Sequence, residues 1–131
     1  MKASTLVRVG TLVLISTLVA ACATTPTLSK AGPGALFKQP VAQVQKAAVE
    51  ALAEDGFDMT EQQATYVEGK RPHKIGLFVG SGGETVGVWL TASGGNATEV
   101  KVDTTKSSLG YLGQKNWNDQ ILEKMRRILK D

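Results

Sequence analysis

Thr85-Val86-Gly87-Val88-Trp89-Leu90-Thr91, then Ser93-Gly94-Gly95-Asn96, then Ala97 to Thr105 read as two strands and the turn between them. In the first run Val86, Val88 and Leu90 face one side, and Gly87 and Trp89 the other. In the second, Val100 and Val102 fall on one side, and Glu99, Lys101 and Asp103 on the other. A period of two is that of a pleated strand with one buried face. Adjacent glycines between two such runs supply the backbone freedom of a tight hairpin. The apolar face of that hairpin needs a cover, and the rest of the chain must provide it.

Two helices are available for this. Pro40 to Glu54 places Val41, Val44, Ala48, Ala51 and Leu52 at helical spacing, with Gln43, Lys46, Glu50 and Glu54 mostly opposite. Pro40 suits the first helical turn, and Gly56 a C-terminal stop. From about Trp117 to Lys130, the residues Trp117, Ile121, Leu122, Met125, Ile128 and Leu129 make an apolar stripe. Asn116 reads as its N-cap, with Asp119 as the partner of a capping box. Lys124, Arg126, Arg127 and Lys130 crowd the end where cations favour the helix dipole. Between the helices, Phe57-Asp58-Met59-Thr60 alternates with Phe57 and Met59 on one face, and Thr65 to Lys70 is a further strand. The predicted fold class is α+β: a two-layer sandwich in which an antiparallel 3–4-stranded meander carries an N-terminal and a C-terminal helix on one face.

The start of the chain is of another kind. Lys2 and Arg8 precede an uncharged, mostly apolar run from Val9 to Ala21. A basic segment followed by an apolar run of about 7–15 residues is the form of an export signal. A bilayer-spanning helix needs about 20 apolar residues. The run ends in Leu18-Val19-Ala20-Ala21-Cys22, which resembles the bacterial lipobox. That resemblance implies cleavage between Ala21 and Cys22, a diacylglyceryl thioether on the Cys22 sulfur and an acyl chain on its new amino group. With Ala23 following, it implies an outer-membrane destination on the periplasmic side if the host is Gram-negative. Cys22 is the only cysteine, so no internal disulfide can form.

Three regions follow: 1–21 as signal peptide, 22–37 as lipidated N-terminus and flexible linker, 38–131 as globular domain. The linker reading rests on the small, polar and turn-forming residues from Ala23 onward. About 14 such residues give a reach of roughly 20 Å. The net charge of +3 belongs to the whole chain; without Lys2 and Arg8, 13 basic residues face 12 acidic ones, near +1. Nucleic acid is therefore not an expected partner.

A second resemblance covers residues 40–130. Val88-Trp89-Leu90, Glu99-Val100-Lys101-Val102, and Asn116-Trp117 through Ile121-Leu122 look like the core of small bacterial envelope lipoproteins, in which a helix–meander–helix domain follows a lipobox. A looser similarity is to the helix–sheet domains of accessory lipoproteins in the outer-membrane assembly machine. Neither implies catalytic residues.

Catalysis needs a constellation of groups. His73, the only histidine, lies between Pro72 and Lys74 in an expected loop, and nothing resembles a nucleophile elbow. One histidine and one lipidated cysteine are a poor metal-ligand set. Gly80-Ser81-Gly82-Gly83 precedes a strand rather than a helix, so it reads as a turn and not as a phosphate cradle. No catalytic residue, metal or cofactor is expected.

Two segments set large apolar residues among glycines: Ile75-Gly76-Leu77-Phe78-Val79-Gly80 and Leu109-Gly110-Tyr111-Leu112-Gly113. In a four-stranded meander both leave the sheet at one end. Leu77, Phe78, Tyr111 and Leu112 are thus the expected partner-binding residues, either as an exposed apolar rim or, in the plainer reading, as the closed end of the core. The first helix would start at the opposite end, so the rim is expected to point away from the tether. The expected function is a membrane-anchored, non-enzymatic interaction module contacting envelope proteins or an envelope polymer. The alternatives are a lipid or small-ligand binding protein using the groove between helices and sheet, and an envelope-acting hydrolase.

Overall fold

The computed structural model describes residues 25–75, 80–107 and 113–131. A 3-10 turn (Leu28–Lys30) precedes β1 (Ala35–Phe37), α1 (Val41–Glu54), β2 (Asp58–Gln62), β3 (Tyr66–Lys70), β4 (Lys74–Ile75), β5 (Gly80–Ser81), β6 (Thr85–Ala92), β7 (Thr98–Thr105) and α2 (Asn118–Leu129). The main sheet is antiparallel, in the order β1-β7-β6-β3-β2. β4 and β5 form a small separate ladder between β3 and β6. α1 packs on β2, β3 and β6, α2 packs on β7, and the helices contact each other. The fold is α+β, with both helices on one face of the sheet.

The alternation in β6 and β7 is realised as predicted. Val86, Val88, Leu90, Val100 and Val102 are buried against the helices, and Val88 pairs directly with Val102. Gly94 and Gly95 both have positive φ, 65° and 53°, in the turn between these strands. α1 buries Val44, Ala47, Ala48, Ala51 and Leu52. Its alanines keep that face thin, so the helix sits close to its neighbours. Gly56 (φ 81°) ends α1 in a Schellman motif: the Phe57 amide donates to the Leu52 carbonyl and the Gly56 amide to the Ala53 carbonyl. Phe57 then enters the core and meets Trp117 edge-on, with ring centroids 5.3 Å apart. Gly69 of β3 makes room for this corner, since a Cβ there would lie 2.9 Å from Phe57 Cβ and 3.0 Å from Met59 Cε.

Three expectations need correction. The sheet has five strands, not three or four. The additional strand, β1, lies inside residues 22–37, which the local composition assigns to a linker. Ala35, Leu36 and Phe37 pair with Val100, Glu99 and Thr98, and Phe37 is fully buried. The outer edge of β7 would otherwise present a row of unpaired backbone groups, and β1 covers it. Turn-rich composition is a local property, whereas this pairing is made with residues far along the chain. The globular part thus begins before residue 38. At α2, Trp117 occupies the N-cap position rather than Asn116. Asn116 still caps, because its Oδ1 accepts the Asn118 amide at 2.8 Å. Pro40 stands at the N-cap of α1, where its carbonyl accepts the Gln43 and Val44 amides.

The helices are also tied through polar contacts. Asp55, just past α1, accepts from Gln120 Nε2 and from Lys124. Glu54 lies within ion-pair distance of Lys124 and Arg127. Arg126 stacks over Phe37 at 4.7 Å. The cations near the end of α2 therefore serve internal contacts, beyond complementing the dipole.

Candidate functional site

The side of the sheet away from the helices is built by the residues that alternate with the core. Register sets Tyr66 opposite Trp89, Glu68 opposite Gly87, Trp89 opposite Lys101 and Gly87 opposite Asp103. Tyr66 and Trp89, both half-buried, pack with ring centroids 5.0 Å apart and planes at 40°. Tyr66 Oη donates to Glu68 Oε2 at 2.7 Å, and Thr60 Oγ1 donates to Glu68 Oε1 at 2.7 Å. Thr60 is the extra residue where the β2–β3 register shifts, and such a bulge re-aims a side chain. Burial pushes the Tyr66 hydroxyl well above its ordinary pKa, and the hydrogen bond to Glu68 and the charges of Glu68, Glu61 and Asp103 add to this. The group is a proton-bearing donor, not a base.

Across this face lies the segment Thr25–Gly32. The Thr27 amide donates to Asp103 Oδ2 at 2.9 Å. The Gly32 amide donates to the Val102 carbonyl at 3.0 Å. Pro26 is buried over Gly87. A Cβ at residue 87 would stand 2.8 Å from Pro26 Cβ, 2.9 Å from Tyr66 Oη and 3.0 Å from the Trp89 ring. Glycine is thus required at position 87 because a proline, a hydroxyl and an indole close over it. The segment is a strap that leads from the β7 edge to the middle of the sheet.

A second constellation stands where Lys70, Thr85 and Thr105 come into register at one end of the sheet. Glu84 is fully buried there. Its Oε1 lies 3.7 Å from Arg71 Nη1, and 3.4 Å from the Lys115 amide, which donates to it. Its Oε2 has no hydrogen-bond partner among the described residues. Arg71 and Lys115 both stack on Trp117, at 4.7 Å and 3.9 Å from the ring centroid. Gln114 Nε2 donates to the Gly82 carbonyl at 3.1 Å and to Ser107 Oγ at 2.8 Å, joining the chain after β7 to the chain before β6.

Of the residues singled out in the sequence, Ala21 and Cys22 lie outside the described residues, as do Leu77, Phe78, Tyr111 and Leu112. Their flanks are described, and the strands bounding both apolar segments end together at Lys70, Thr85 and Thr105. α1 does begin at the other end, beside the Phe37–Thr98 pair. The strap, however, doubles back to Gly87 and Asp103, so the described residues begin over the sheet face and not at the far end. His73 is exposed and its ring lies over Gly83, where a Cβ would meet Cε1 at 2.1 Å. No hydroxyl or carboxylate is hydrogen-bonded to it among the described residues. Gly82 and Gly83 form a turn with φ of 89° at each, with Glu84 between them and β6, while Gly80 and Ser81 belong to β5.

Sequence reasoning placed Trp89 and Gly87 on one face but missed Tyr66, Glu68 and Pro26 as its partners. The period of two does put Tyr66 and Glu68 together. Nothing local connects them to Pro26. Glu84 and Arg71 were missed as well, and only the turn between β5 and β6 brings them together.

Two open clefts line the helix surfaces among the described residues. One, of about 420 Å³, is bordered by Gln120, Glu123, Lys124 and Arg127; the other, of about 460 Å³, by Val41, Ala42, Gln45, Lys46 and Ala64. Neither lies between helices and sheet, where the buried apolar side chains fill the space. No group of three or more His, Cys, Asp or Glu residues able to hold a metal occurs among the described residues. No helix among them is long and apolar enough to cross a membrane. No family model matches the chain, and no curated protein matches it.

Proposed function

We propose that the chain is a bacterial envelope lipoprotein, anchored through acylated Cys22, whose folded domain is a non-enzymatic interaction module. The observation that carries this reading is the lipobox-like Leu18-Val19-Ala20-Ala21-Cys22 after a basic and then apolar start. Two lipid chains already hold a protein firmly on a bilayer, at about 0.8 kcal/mol for each buried methylene. The placement of the strap is in keeping with it: the packed chain begins at the surface of the sheet, from which a lipid-bearing residue can reach a membrane. The partner is an envelope protein or polymer, met through Leu77, Phe78, Tyr111 and Leu112. This is supported by the common end of the sheet from which both segments depart and by the Gln114 contacts that join their flanks. A non-enzymatic role is favoured by the chemistry of the described polar groups. Tyr66 is held protonated and Glu68 is occupied by two hydroxyl donors.

The test is intact mass spectrometry of protein extracted from membranes, beside a Cys22→Ser variant. The expected mass is that of residues 22–131 plus acyl groups, lost in the variant. An unmodified mass in the wild type would overturn the anchor.

A further inference from the structure

We propose that the strapped face of the sheet is the surface that rests on the phospholipid bilayer, with the helix layer turned to the aqueous side. The inference rests on the reading of Cys22 as the lipid-bearing residue. Two observations carry it. The first is covalent reach. Thr25 begins a segment fixed to the sheet by Pro26 and Thr27, and it is three residue steps from Cys22, with Ala23 and Thr24 between. At ~3.6 Å per residue the chain spans at most about 11 Å between them, so the acylated residue cannot carry the domain away from the headgroups or let it turn over freely. The second is where the apolar surface lies. Leu28 and Leu36, each 53% exposed, are the exposed large hydrophobic residues found in the described part. Leu28 is on the strap itself. Leu36 pairs with Glu99 on the outer face, while its neighbour Phe37 turns into the core. The half-buried Trp89–Tyr66 pair lies on the same face, and such amphipathic rings suit the headgroup level of a bilayer.

The charged side chains of this face are of both signs: Glu99 lies 3.6 Å from Lys101, Glu68 accepts from Tyr66 and Thr60, and Asp103 accepts from the Thr27 amide. On the opposite side of the molecule, Gln43, Lys46 and Glu50 of α1 are exposed to solvent. That side stands at least one helix diameter, about 10–12 Å, behind the sheet. A mounted domain of this kind holds its sheet end, with Glu84 and the flanks of the two apolar segments, parallel to the membrane. The partner would then be met from the side.

The test uses the acylated protein reconstituted into phosphatidylethanolamine–phosphatidylglycerol liposomes. The Cys22 thiol is consumed by the lipid, so a second cysteine can be labelled uniquely. Lys101→Cys places a fluorophore on the strapped face and Glu50→Cys places one on α1. A nitroxide carried on the lipid headgroup is the quencher. Quenching several-fold stronger at position 101 than at 50 is expected. In a Gly87→Val background, where the added side chain displaces Pro26, the difference should shrink. Equal quenching at both positions in protein that is acylated and floats with the liposomes would overturn this inference alone. A discrete photocrosslink from position 101 in native membranes, together with equal quenching, would assign the face to a protein. An unacylated mass would instead remove the anchor reading and this inference with it.

Discussion

Tyr66 of β3 stands among the carboxylates of three strands, Glu68 of β3, Glu61 of β2 and Asp103 of β7. Its hydroxyl is half-buried, donates to Glu68 and lies in the field of Glu61 and Asp103. Each of these disfavours the phenolate, so the folded protein keeps its proton at a pH where the unfolded chain loses it. The folded pKa is raised above the ordinary value of 10.0. The stability linked to this group is therefore complete below about pH 10 and is lost as pH rises beyond it. Thermal melting followed against pH should show the loss, and Tyr66→Phe should melt with a weaker alkaline dependence. Glu84 is fully buried, with Oε1 3.7 Å from Arg71 Nη1. Arg71→Ala removes the ion-pair partner, leaving the Lys115 amide as donor, and is expected to destabilise by about 3–5 kcal/mol. Arg71→Ala combined with Glu84→Leu should recover most of it, as read from urea midpoints. A double variant as unstable as the single one would show that the loss comes from Arg71 packing on Trp117 and not from the carboxylate.

At the scale of elements, β1 changes the limits of the folded unit. A linker tolerates substitution within ±0.5 kcal/mol, whereas a fully buried aromatic ring does not. Phe37→Ala is expected to destabilise the domain by about 3–5 kcal/mol, measured by chemical denaturation. A change of a few tenths would return residues 22–37 to the status of linker. α2 ends on Lys130 in the left-handed region, φ 56° and ψ 41°. There the Asp131 amide donates to the Arg126 carbonyl and the Lys130 amide to the Arg127 carbonyl. A side chain in that conformation costs about 1 kcal/mol against glycine. Lys130→Gly should accordingly raise the melting temperature by a few degrees. The pairing of Lys124 and Arg127 with Glu54 and Asp55 leaves less of this helix end available to an anionic surface.

On the scale of the whole molecule, the two layers divide the work. The helix layer closes the core, and the other face of the sheet holds the strap. Partner capture is proposed for one end of the sheet. A variant carrying Phe78→Ala and Tyr111→Ala should keep its melting temperature and lose capture of the envelope partner in membrane crosslinking. If both substitutions instead unfold the domain, these residues close the core and the rim assignment fails.

The amino-acid sequence alone determined what depends on local repetition. The period of two in β6 and β7, the helical stripes of α1 and α2, the paired glycines at 94 and 95 and the stop at Gly56 were all legible, and with them the α+β class. These signals are short-ranged because strand pleat, helix pitch and left-handed turns are properties of a few consecutive residues. Tertiary structure decided what depends on distant pairs. β1 completes a sheet edge made by β7. Pro26 fits only because position 87 is glycine beneath Tyr66 and Trp89. Glu84 meets Arg71 only because a small ladder turns the chain back on itself. Each of these contacts is formed between residues whose local sequence carries no mark of the partner, so only the folded chain brings them together.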